Sequence, residues 1–294
     1  MDTAVYDYEK IYFGMWETAR RYSELIQFRV IGKSHDDRMI PMVEMGQGED
    51  CIFCVSGIYG YDRLMPVLLL EMIREYARAW ECNWKLEEIY DAGELLKKWR
   101  FCFIPILNPD GYEIYNKDYF VIRNPIYRQM LRMGQIPCKE FGGNGRGIDL
   151  GENFPTSYYR RSRISQQPAS ENETKALVRI FQEYRGRGLL SFCHSGKKIV
   201  YFKQSQKLLE NQKSHRLARH LQKMGDFSME KYQTDAARRR NSSGGGSPEQ
   251  FYTEIIRQPS FRIELPVVRK ITEENQEAQF REIHTLPLEF AFSL

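Results

Sequence analysis

Cys51-Ile52-Phe53-Cys54-Val55 is apolar at every position, with no polar residue on either alternate face. A strand of that kind is buried on both sides, as in sheets carrying helices on both faces. It runs into a loop over Gly57–Asp62 and then a helical pattern from about Arg63 to Trp80, with Pro66 tolerable in the first turn. A second buried strand, Phe101-Cys102-Phe103-Ile104-Pro105-Ile106, ends at the turn Asn108-Pro109-Asp110-Gly111. A third, Leu189-Leu190-Ser191-Phe192-Cys193, delivers His194, and the last is Phe261-Arg262-Ile263-Glu264-Leu265.

Around these strands the spacing predicts helices over 8–26, over roughly 205–224, and behind a capping box at Ser170-Glu171-Asn172-Glu173, with Gly186 ending the last of these. A hairpin joins Phe28–Gly32 to Ile40–Met45 through the polar turn Ser34-His35-Asp36-Asp37. Residues 113–147 read as a long irregular functional loop. Helices alternating with buried strands predict an α/β fold: one domain over residues 1–294, a mixed, mostly parallel twisted sheet with helices on both faces, and chemistry on the loops at strand ends.

Composition narrows the function. With 43 basic and 39 acidic residues the net charge is only +4, which points to neither a nucleic-acid nor a membrane partner. No apolar stretch is long enough to span a bilayer, and the first eight residues lack a signal-peptide pattern. Cys51 and Cys54 are three apart on a strand, so they face opposite sides and cannot share an ion. The cysteines read as free thiols of a cytoplasmic protein.

Eight segments in register resemble the zinc carboxypeptidases, and especially their bacterial branch acting on γ-D-glutamyl-diaminopimelate peptides. They are Tyr6–Lys10, Ile31–Ser34, Ser56–Ile58, Asn108–Gly111, Gly147–Phe154, Ser170–Leu177, His194-Ser195 and Pro259–Leu265. The resemblance implies that family's fold and its chemistry, in which zinc held by two His and one Glu polarises a scissile carbonyl and a second Glu acts as general base. It places Tyr59, Asp62 and His194 at the metal positions and Glu264 at the base. His-x-x-Glu has become Tyr59-x-x-Asp62; a phenol must lose a proton of pKa near 10 before it ligates well, so zinc is expected to be absent or weakly held. The same comparison assigns substrate contacts to Gly151, Glu152, Asn153 and Asn241, and aligns Gly142 with the family's basic oxyanion-stabilising residue. Glu152 brings a like charge to where a substrate carboxylate docks. By resemblance Asp149 stands behind the first metal position, where the Tyr59 hydroxyl would bond to it.

These changes imply a pseudoenzyme that binds a peptide, a peptidoglycan-type fragment or an unidentified protein without efficient hydrolysis. The alternative is an active metallopeptidase whose rearranged site uses Asp62, His194 and Glu152 or Tyr59. Whether the chain is an enzyme stays open at this level.

Overall fold

The structure, a computed structural model, describes residues 6–157, 159, 167–202, 208–232, 246–268 and 270–294. Ten strands are described: β1 Ile26–Lys33, β2 Met39–Met45, β3 Cys51–Val55, β4 Lys85–Leu86, β5 Tyr90–Asp91, β6 Arg100–Ile104, β7 Gly186–His194, β8 Lys198–Tyr201, β9 Ser228–Lys231 and β10 Ser260–Leu265. The described α-helices are α1 Tyr8–Arg21, α2 Met65–Cys82, α3 Ala92–Lys98, α4 Pro109–Lys117, α5 Pro125–Met133, α6 Asn172–Glu183, α7 Leu208–Lys223, α8 Pro248–Phe251, α9 Glu273–Ile283 and α10 Leu286–Ser293. Eight strands form one sheet in the order β1-β2-β6-β3-β7-β10-β8-β9, and β4 pairs separately with β5. The central run β6-β3-β7-β10 is parallel throughout, whereas β1-β2, β2-β6 and β10-β8 are antiparallel. The expected mixed, mostly parallel α/β sheet is what forms.

The apolar run that announced the fold is buried on both faces. Ile52 and Cys54 pack with α1, α2 and α10 on one side, and Cys51, Phe53 and Val55 with α6 and Phe251 on the other. Cys51 and Cys54 therefore do face opposite ways. No helix among the described residues is long and apolar enough to cross a membrane.

Several local expectations are corrected. The first helix stops at Arg21, because Tyr22 leaves helical geometry and Ile26 already pairs with Met45 in the edge hairpin. Asn108-Pro109-Asp110-Gly111 is the first turn of α4: Asn108 caps it by accepting the Gly111 N–H at 2.9 Å, and Pro109 occupies the position where no donor is needed. The stretch 113–147 thus contains the end of α4 and all of α5. The capping box at 170–173 does not form; Glu171 is the N-cap, and the Ser170 hydroxyl donates to Glu171 Oε1 at 2.7 Å instead. Gly186 opens β7 rather than closing α6, since a side chain there would run into Tyr252 and Phe53.

Candidate functional site

The carboxyl ends of β3, β6, β7 and β10 lie on one edge of the parallel run, so their loops converge. Three loops are locked together there. Asn108 Nδ2 donates to the carbonyls of Ile58 and Gly143, both at 3.1 Å, and the Gly60 N–H donates to Gly142 O at 3.2 Å. Gly57 has φ +58 and lies so close to Pro105 O that a Cβ would sit 2.8 Å from it, which explains a glycine at the strand exit.

On this floor Asp62 and His194 meet. Asp62 is fully buried, and its Oδ1 accepts the His194 backbone N–H at 2.9 Å and stands 3.5 Å from His194 Nδ1. Burial pushes the Asp62 carboxyl up, against the opposing pull of His194. The other ring nitrogen, Nε2, is 3.1 Å from Gln279 Oε1, and Gln279 Nε2 donates to Pro266 O at 2.8 Å. That second bond fixes the amide orientation, so His194 Nε2 donates to Gln279 and Nδ1 faces Asp62. Asp62 Oδ2 is buried with no hydrogen-bond partner among the described residues.

Tyr59 does not join this pair. Its ring stacks on Tyr61 with centroids 5.2 Å apart and planes 2° from parallel, and its hydroxyl is pressed against Gly151, where a side chain could not fit. Burial, reinforced by the nearby charge of Asp149, pushes the Tyr59 phenol well above its usual range, so it stays neutral. The expected Tyr59–Asp149 hydrogen bond is not formed among the described residues. Asp149 Oδ1 accepts the Gly151 N–H at 2.7 Å, because the short turn over Leu150–Glu152 offers that donor first.

The remaining expected residues disperse. Glu152 is half-buried, and desolvation together with Asp149 raises its carboxyl to about 6. Asn153 is turned inward: Nδ2 donates to Ser170 Oγ at 3.0 Å and Oδ1 accepts the Glu171 N–H at 3.2 Å, which pins the start of α6. Gly142 leaves room for the Tyr61 ring. Asn241 lies outside the described residues. Glu264 is buried beside Cys193 in the β7–β10 register, with Lys198 Nζ 3.7 Å from Oε2; the same ammonium donates to Glu230 at 2.6 Å. No hydrogen bond or ion pair joins Glu264 to Tyr59, Asp62 or His194 among the described residues. Cys193 sits close enough to both Asp62 and Glu264 for their charges to add to the burial that raises its thiol.

Two partners were not foreseen. Arg262 grips Glu249 through two bonds of 3.0 Å, Ser191 donates to the same carboxylate, and the guanidinium lies over Phe202 at 5.6 Å. The Arg262 charge and these bonds overcome burial and hold Glu249 down at about 2. Arg262 was legible as a charge inside an apolar strand, two residues before Glu264 and hence on the same face. Gln279, the His194 partner, arrives from α9 and left no local sequence signal.

Comparison with known proteins gives a consistent picture. The family model for zinc carboxypeptidase matches residues 11–282. Carboxypeptidase B of Astacus astacus is 26% identical over 113 residues; the match covers 37% of this chain and about a third (34%) of that protein. Among solved structures, bovine thrombin-activatable fibrinolysis inhibitor in complex with tick carboxypeptidase inhibitor superposes with a TM-score of 0.74 at 18% identity, covering 98% of this chain and 97% of that one. A metallo-carboxypeptidase from Burkholderia cenocepacia gives 0.66 at 11% identity, covering 97% and 69%.

Proposed function

Because the chain belongs to the zinc carboxypeptidase family, we propose that it retains that fold's cleft as a peptide-binding site and no longer hydrolyses what it binds. The observation that carries this reading is the Asp62–His194–Gln279 chain, with Tyr59 held apart from it. The residues at the metal positions do not fit the family's zinc. Two donors converge instead of three, the third position holds a neutral phenol packed on Gly151, and the imidazole and carboxylate already face each other. A hydrogen-bonded pair has taken over the place of the ion, and Glu264 then has no polarised water to deprotonate.

The cleft keeps features suited to holding a peptide. Tyr59 and Tyr61 form a flat aromatic wall, with Tyr61 38% exposed at its edge. Asp149 is exposed and Glu152 half-buried beside it. Their charges favour amino and amide groups and disfavour a free carboxylate. The ligand class we propose is a peptide, of the cell-wall γ-D-glutamyl-diaminopimelate type, docking through its amino-bearing side. The six cysteines are all free and four are buried, which supports a reducing cytoplasm.

The test pairs binding with turnover. Isothermal calorimetry with γ-D-glutamyl-diaminopimelate tripeptide and with a peptide ending in lysine should show binding that weakens in Tyr61→Ala. Mass spectrometry of the same mixtures with added zinc should show no cleavage. Cleavage that disappears in Glu264→Gln would overturn the reading. A second reading, a hydrolase with a rearranged metal site, draws on two buried oxygens, Asp62 Oδ2 and Glu264 Oε2, that have no hydrogen-bond partner among the described residues. It requires turnover after loading with manganese or iron, lost in Asp62→Asn.

A further inference from the structure

The β1–β2 turn projects from the same edge of the sheet as the cleft loops, because β2 runs antiparallel to β6 and so starts where β6 ends. It delivers His35 to the beginning of α6. There His35 Nε2 lies 3.1 Å from Glu171 Oε2, and one donor atom from each of His35, Glu171 and Glu173 falls within 4.8 Å of the others. We propose that these three residues bind a divalent transition-metal ion at a site separate from the cleft, tying the β1–β2 turn to α6.

Four observations carry this. The first is donor geometry. Ligands around a tetrahedral ion at about 2.0–2.1 Å stand roughly 3.3 Å apart, close to the His35–Glu171 separation, and the Glu173 donor atom lies within 4.8 Å of both. One imidazole and two carboxylates suit zinc, manganese or iron.

The second is an orphaned atom. Glu171 and Glu173 are both fully buried, yet Glu173 Oε1 has no hydrogen-bond partner among the described residues. A buried acceptor left unmet is costly, and a cation would satisfy it.

The third is the surrounding scaffold. Asn144 Nδ2 donates to Glu171 Oε2 at 2.8 Å and to Glu173 Oε2 at 3.3 Å, orienting both carboxylates while leaving Glu173 Oε1 bare. Arg146 and Ser170 engage Glu171 through its other oxygen, Oε1. The Asn172 N–H points at His35 Nε2 from 3.4 Å, so the same ring nitrogen is turned both to Glu171 and to the first turn of α6.

The fourth is charge. Asp36, Asp110, Glu171 and Glu173 give four carboxylates against two guanidiniums, Arg38 and Arg146, so 4 − 2 leaves two negative charges, which one divalent ion balances. His35 is 14% exposed on its side chain and provides the route of entry.

The experiment is zinc and manganese titration of the full chain, read by calorimetry and by elemental analysis after dialysis. Wild type and His194→Ala should each bind one equivalent. His35→Gln and Glu173→Gln should lose at least about tenfold in affinity while keeping the wild-type circular dichroism. Binding that survives in both of these variants, or that disappears in His194→Ala alone, would overturn the proposal, as would a wild type that binds nothing. Manganese should also broaden the His35 ring resonances of the unmodified protein; broadening of His194 with His35 unaffected would overturn it equally, without relying on any variant.

Discussion

Two polar clusters share the same edge of the sheet and are built in opposite ways. At the ends of β3, β7 and β10 the charged and donor groups are divided into pairs: Asp62 with His194, Arg262 with Glu249, Lys198 with Glu264. At the start of α6 they converge, with His35, Glu171 and Glu173 around one point. A pair closes on itself and has little need of an ion. Convergent lone pairs in a buried space repel one another and call for a proton or a metal. The proposed loss of hydrolysis rests on this division of the cleft's polar groups into pairs.

The comparison can be broken most severely at its best-satisfied pair. Arg262→Ala leaves Glu249 buried without its counter-charge, and a loss of about 3–5 kcal/mol in denaturant unfolding is expected. A loss below about 1 kcal/mol would mean that the pair is not what holds this side of the cleft.

The convergent cluster predicts the reverse sign. Glu173 has a folded pKa of about 8 against an ordinary 4.5, so between those pH values the folded state retains a proton that the unfolded state has released. Metal-free stability should therefore fall as pH rises through that window, by up to roughly 1.4 kcal/mol per unit. Thermal melts of Glu173→Gln should lack the slope and be more stable by a few kcal/mol at most near pH 8. An identical slope in wild type and variant would remove Glu173 as its origin.

Convergence can also be rebuilt in the cleft. The double substitution Tyr59→His with Asp62→Glu supplies the two missing donors beside His194, and zinc affinity should rise by about 10²-fold or more in competition with a chromophoric chelator. No gain would locate the obstacle in the Gln279 and Gly151 packing rather than in ligand identity.

The smallest effect concerns Glu152. Its carboxyl is raised to about 6, so its contribution to stability falls as pH climbs from 4.5 to 6. Because the group is only half-buried, Glu152→Gln should gain no more than about 1 kcal/mol at neutral pH, measured by chemical unfolding. A destabilised variant would instead indicate that Glu152 has a partner that its charge serves.

How far the sequence could be read depended on the range of the forces involved. The buried strands, their alternation with helices and the edge hairpin followed from hydrophobic patterning, which each segment carries within itself. So did the opposite orientation of Cys51 and Cys54, which needs only the two-residue period of a strand. The departure at Tyr59 and Asp62 was also visible in the chain, because a phenol differs chemically from an imidazole wherever it is placed. What the sequence could not supply was partnership. Asn153, expected at the ligand, also bonds to Ser170 and Glu171, while Gln279 crosses 85 residues of chain to reach His194. The capping box at Ser170 had the right letters, yet Glu171 serves as N-cap and is bound by His35 from the β1–β2 turn and by Asn144 and Arg146 from the loop before Leu150. Local rules determined the strands, helices and sheet of this protein. Which donors meet was decided only when the loops packed, because hydrogen bonds and charges act over a few ångströms and are satisfied by whatever the tertiary fold brings within reach.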